Sequence, residues 1–205
     1  MPLISTELAL PLRGGRTFFH YCLITSVGIL TLALFLYAEW QSTGRLDGVT
    51  LDDSWIHYRF ASNLRQGHGF SFNLDEPTPG STSPLWVLAL SLIDQGFLIP
   101  SKVLGILSFV GCGLVVYKLG RFVGLRAVYS ILAGISTLVA GRFAWAAPSG
   151  METTTFAFAS LVALWLWGRD GPEAISPLTS ITFGAACLLR PEGYLLLTLS
   201  GLSWI

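Results

Sequence analysis

Apolar residues cluster along this chain into long blocks separated by short polar stretches, the pattern of a lipid-embedded helical bundle. The first block, Phe18 to Ala38, follows Arg13 and Arg16. Its length of about 21 residues is enough to cross roughly 30 Å of hydrocarbon. The apolar region of a signal peptide is shorter, about 7–15 residues, and ends at small residues. Here the exit is Tyr37-Ala38-Glu39-Trp40, an aromatic interfacial pair with no A-x-A site. The pattern predicts an uncleaved anchor, with residues 1–16 in the cytoplasm and a first span over 17–40. Further blocks cover 102–118, 127–146, 153–168 and 175–189, and another starts near Gly193. The chain stops inside that last block, at Ser203-Trp204-Ile205, with no cap, polar tail or charged flank. The expectation is an all-α polytopic transmembrane helical bundle forming one module over 1–205, with 102–205 as the further spans. It reads as the N-terminal part of a longer, truncated sequence.

Between the first two blocks, residues 41–101 are expected to form a loop with short juxtamembrane helices. Ser83-Pro84 opens one of them, serine as cap and proline at the first helical position. Its apolar run, Leu85 to Ile93, is interrupted by Asp94-Gln95-Gly96. Nine residues rise about 14 Å, roughly half a bilayer. The segment is therefore either interfacial or a span completed by Phe97–Pro100. If it is interfacial, Lys118, Arg121, Arg126 and Arg169 are all cytoplasmic; if it spans, all four face outward and only Lys102 gains. The positive-inside rule selects the interfacial reading. That reading gathers Asp52, Asp53, His57, Arg59, Glu76, Glu152, Arg190 and Glu192 on the extracytoplasmic side.

Composition narrows the picture. The 205 residues are 52% hydrophobic and 12% charged, about half the charge fraction of a soluble domain. With 12 basic against 12 acidic residues the formal net charge is zero, so no basic stripe is available for nucleic acid. Cys22, Cys112 and Cys187 fall inside apolar blocks without CxxC spacing and read as buried thiols.

The stretch richest in chemistry is Leu51 to Leu64. Ile56, Phe60 and Leu64 recur every four residues, predicting a short helix with one apolar stripe, closed by Gly67. Asp52 and Asp53 sit at its start. One acid there is explained as an N-cap or by the helix dipole. Two adjacent carboxylates also suit a general base or a hard divalent cation. His57, one turn from Asp53, is a metal ligand, a partner of one, or a solvated interfacial histidine. Arg59 either meets a phosphate or snorkels at the headgroups. His68, in Gly67-His68-Gly69, is assigned no role. Glu152, in Gly150-Met151-Glu152-Thr153, either complements a helix dipole or faces the Asp52 helix as a second acid. Arg190, in Arg190-Pro191-Glu192-Gly193, either holds an anionic headgroup through bidentate hydrogen bonds or lies at an outer turn.

Four segments, DDSWIHYRFASNLRQGHGFSFN, GSTSPLW, SGMETTTFA and LLRPEGYLLL, resemble in this order the N-terminal module of GT-C glycosyltransferases. The likeness covers about residues 17–205 and is nearest to bacterial members similar to mycobacterial arabinofuranosyltransferases. Protein mannosyltransferases and lipid A aminoarabinose transferases are more distant. The resemblance implies an essential aspartate in an acidic pair of the first outer loop, carried here by Asp52 with Asp53 beside it. It also implies another acid after the third span, matching Glu152, and a basic residue near the carrier phosphate, matching Arg190; from the reading of the residues, Arg59 is a further candidate for phosphate contact. A polyprenyl-phosphate-linked sugar donor is implied, with a glycan, lipid or protein acceptor and membrane lipid around the protein. The location implied is the bacterial inner membrane, multi-pass, with an extracytoplasmic site. No cofactor is assigned, and a divalent cation held by Asp52, Asp53 and His57 stays open. Such enzymes usually have ten or more spans, and this chain ends in its sixth, so acceptor recognition and part of the donor groove are expected to be missing from it.

A reading from another class is a non-catalytic transport or scaffold subunit. It calls for polar residues lining the spans at midplane. The blocks here are nearly free of charge, with polar groups at their outer ends.

Overall fold

The computed structural model describes residues 14–46, 48–49, 51–74, 76–93, 96–171 and 174–203. Within them the chain is helical, without strands and with one isolated bridge between Ser71 and Pro77. The expectations for residues 1–13, for the Asp94-Gln95 interruption and for the closing Trp204-Ile205 lie outside the described residues.

The helices are α1 (Gly14–Thr43), α2 (Asp53–Arg65), α3 (Pro84–Ser91), α4 (Leu98–Phe122), α5 (Ala127–Val139), α6 (Gly141–Ala146), α7 (Thr153–Asp170), α8 (Pro177–Leu189) and α9 (Glu192–Leu202). Helices α1 and α4 are long and apolar enough to cross a membrane. The 30 residues of α1 rise about 45 Å and the 25 of α4 about 37 Å. The apolar block 127–146 is not one helix. The backbone is extended at Ala140, just before Gly141, a poor helix former. The block from 175 onward breaks at Arg190, extended at φ −155° and ψ 146°, because the residue before a proline disfavours the helical region.

Helix α4 is the central element, packed against α1, α5 and α7, while α8 joins α7, α3 and α9. Small residues bring the backbones together. A Cβ on Gly134 would meet the carbonyl oxygen of Gly113 at 2.7 Å, tying α5 to α4. A Cβ on Gly105 would collide with the Ala147 carbonyl, and Thr154 Oγ1 donates to Gly105 O at 2.9 Å. Close approach through glycine is how helices associate where the surroundings are as apolar as the side chains. The outward faces carry large apolar groups such as Phe18, Leu34, Leu107, Leu132 and Leu195.

Polar contacts identify one end of the bundle. Lys102 Nζ, near the start of α4, lies 3.6 Å from Glu39 Oε1 near the end of α1 and donates to Leu46 O at 2.8 Å. The segment between α1 and α4 thus begins and finishes at the same end. Within it α3 has 8 residues and rises about 12 Å, so it does not carry the chain across the bundle. At the opposite end, Lys118 and Arg169 flank Trp165, 4.9 and 5.6 Å from the ring centre.

Candidate functional site

The site is assembled from α2, the loop before α3, the start of α7 and the α8–α9 junction. Asp52 is the N-cap of α2, its carboxylate accepting from Asp53 N at 3.1 Å. The buried face of α2 includes Ser54, His57, Tyr58 and Ala61, the spacing of one helical stripe. That face is more polar than the Ile56–Phe60–Leu64 stripe suggests. Ser54 Oγ donates to Ser149 O at 2.8 Å, and the Tyr58 hydroxyl shares a hydrogen bond with Ser101 Oγ at 2.7 Å. Gly150, at φ +81°, leaves room for that tyrosine, since a Cβ there would strike the Tyr58 hydroxyl. These contacts seat α2 on the starts of α4 and α7.

The result is a cavity of about 330 Å³ lined by Asp53, Ile56, His57, Gly80, Ser81, Thr82, Met151, Glu152 and Arg190. Glu152 is its deepest acid, only 2% exposed. Arg190 Nη1 donates to Glu152 Oε1 at 3.1 Å, and His57 Nε2 lies 3.3 Å from Oε2. The other imidazole nitrogen, Nδ1, is 3.1 Å from Ser81 Oγ. Burial works to raise the Glu152 carboxyl, but the His57 contact, its own backbone amide and the nearby Arg190 charge outweigh it. The group is held below the ordinary glutamate value and is therefore an ion at neutral pH. Arg190 also reaches outward, with Nη2 donating to Glu192 Oε1 at 2.9 Å and Nε 3.3 Å from both oxygens. Hydrogen bonding to that guanidinium lowers the Glu192 carboxyl as well.

Four of the residues singled out in the sequence, Asp53, His57, Glu152 and Arg190, line one cavity. Asp52 and Arg59 are not in its lining. Asp52 is exposed at the helix cap, and Arg59, on a different face of α2 from His57, donates from Nε to Phe72 O at 3.0 Å. Asp52, Asp53 and His57 do not gather as a metal-ligand set, and among the described residues no three His, Cys, Asp or Glu side chains do. Ser81 and Glu192 make contacts with His57 and Arg190 that the sequence reading did not assign. Ser81 lies in GSTSPLW, where only the following Ser83-Pro84 cap has a local signal. Glu192 follows Arg190 by two residues across Pro191, a spacing that marks a pair only once the backbone turn is known.

A second cavity, of about 340 Å³, lies between α3, α4, α7 and α8. Leu85, Trp86, Leu104, Phe158, Val162 and Leu189 form most of its wall, with no charged side chain. The two cavities meet in sequence twice. Leu189 of the apolar one precedes Arg190 of the polar one, and Thr155 lies one turn along from Glu152. Phe156, next to Thr155 in the chain, has its ring 6.0 Å from the Arg190 guanidinium. No family model, curated protein or solved structure matches this chain.

Proposed function

We propose that this chain is a membrane glycosyltransferase module of the GT-C type, taking a sugar from a polyprenyl-phosphate donor at the extracytoplasmic end of the bundle. One observation supports the reading: Leu189 of an apolar cavity directly precedes Arg190 of a polar cavity that also holds an acid. An amphiphilic donor matches that pair, its phosphate at Arg190 and its isoprenoid chain along Trp86, Phe158 and Leu189. The alkyl part gains about 0.8 kcal/mol per buried CH₂ in leaving water, and the arginine fork supplies a planar, two-pronged grip on phosphate oxygens. The exposed apolar faces of α1, α4, α5 and α9 favour several helices embedded in lipid, since such patches are rare on soluble monomers.

In the reaction the acceptor hydroxyl oxygen forms a bond to the anomeric carbon while the bond from that carbon to the phosphate oxygen breaks. The hydroxyl proton passes to a carboxylate, and polyprenyl phosphate leaves with the bonding pair, its charge met by Arg190. Asp53 is the better-placed base of the acidic pair, because it lines the cavity while Asp52 caps α2. Glu152 is already paired with His57 and Arg190, which suits it to positioning more than to proton transfer. Single displacement inverts the anomeric centre.

The test is transfer of labelled sugar from a polyprenyl-phosphate donor in membranes containing the protein. Asp53→Asn should lower the rate about 10²–10⁴-fold, the usual worth of a general base, and Asp52→Asn by less than about tenfold. Unchanged transfer in both variants would remove the acidic pair from the mechanism. Solute flux without transfer would point instead to a transport subunit.

A further inference from the structure

Arg190 faces two carboxylates of opposite character. Glu152 holds Nη1 from inside, its side chain 3% exposed; Glu192 covers Nε and Nη2 from outside, its side chain 55% exposed. The Nε/Nη2 edge is the fork through which a guanidinium grips an anion with two parallel hydrogen bonds. In this conformation the fork is filled by the protein itself. The two contacts also differ in how easily they are broken. Glu152 is fixed by burial and by His57, whereas Glu192 stands in the first turn of α9, where released carboxylates are stabilised by the helix's own free N–H groups.

We propose that Glu192 is an internal competitor for the anion-binding fork of Arg190, displaced when a phosphate ester enters the cavity. Glu152 is the permanent anchor that keeps the guanidinium aimed while the outer carboxylate leaves. The proposal rests on the phosphate-site reading of Arg190 given above and adds what sets that site's affinity. It makes the two glutamates opposite in effect, which a merely structural pair is not. Removing the outer charge strengthens phosphate binding, and removing the inner one weakens it.

The experiment is binding of farnesyl phosphate to the full chain in detergent micelles, followed by calorimetry, with inorganic phosphate as a second probe. Glu192→Gln should tighten farnesyl phosphate roughly two- to fivefold, the scale of a partly exposed ion pair. Arg190→Gln should abolish binding and Glu152→Gln should weaken it. Binding unchanged or weakened in Glu192→Gln, with Arg190→Gln still inactive, overturns the competitor role and leaves the phosphate site standing. Equal binding by wild type and Arg190→Gln overturns both, as does an absence of binding in wild type and Glu192→Gln alike. If inorganic phosphate shows the same gain and the same affinity, displacement holds and the ligand is a free phosphate rather than a lipid-linked one. A gain confined to farnesyl phosphate supports the carrier. Thermal melting of each variant identifies any that is unfolded; should Glu192→Gln be so, Glu192→Ser takes its place and must show the same tightening.

Discussion

Glu152 concentrates the electrostatics of the site in one buried carboxylate. Burial works against its charge, yet contact with His57, its own backbone amide and the Arg190 charge hold the carboxyl below the ordinary glutamate value. Both Glu152 and Glu192 have folded-state pKa values lowered from the ordinary one. A lowered carboxyl contributes stability that is fully present above the unfolded value, about 4.3, and is lost as pH falls through the folded value. Melting of the solubilised protein should therefore be flat from neutral pH to about 5 and fall steeply below about 4.3. Glu152→Gln should melt lower at pH 7, by the equivalent of about 1–3 kcal/mol for a lost charged hydrogen bond. It should also show a shallower acid decline. An acid profile identical to wild type would mean that Glu152 is not the titrating group.

Among the elements, the α8–α9 junction decides where Arg190 points. Pro191 forces the preceding residue out of the helix, and Gly193 lets α9 fold back onto α8. A Cβ at Gly193 would sit 2.6 Å from backbone atoms of Ala186 and Cys187. Gly193→Ala should cost about 1–3 kcal/mol, as overpacking does, and weaken phosphate binding by moving the guanidinium. Ser176→Ala serves as the contrast at the other end of α8. Ser176 Oγ accepts from Thr179 N at 3.3 Å as an N-cap, so its loss should cost about 1 kcal/mol. It should leave binding untouched. Equal loss of binding in the two variants would show that the junction transmits only stability.

For the molecule as a whole, the proposed function requires the cavity to face outside the cytoplasm. Asn73, in the exposed segment after α2, belongs to the cavity end; Val123, 65% exposed, follows α4 at the other. With Cys22, Cys112 and Cys187 replaced, Asn73→Cys should react with an impermeant maleimide in intact cells. Val123→Cys should react only after lysis. The reverse pattern would put the cavity in the cytoplasm and end the extracytoplasmic transfer reading. The same scale explains why acids and bases gather as they do. Alternating helix directions return each α1, α4, α7 and α8 junction to one end, so residues as far apart as His57, Glu152 and Arg190 meet.

By itself the sequence determined the helical class, the approximate helix cores and the polar junctions where chemistry could lie. Those are local consequences of long apolar blocks, of Ser-Pro and Arg-Pro boundaries, and of acids at helix starts. Tertiary structure decided which of those polar groups share a cavity. It separated Asp53 from Asp52, since neighbouring residues on a helix start point in different directions. It turned His57 inward and Arg59 away, two residues apart on a 3.6-residue turn. It also buried Glu152 between a histidine 95 positions earlier and an arginine 38 positions later, pairings that no local pattern encodes, because they depend on how the helices pack.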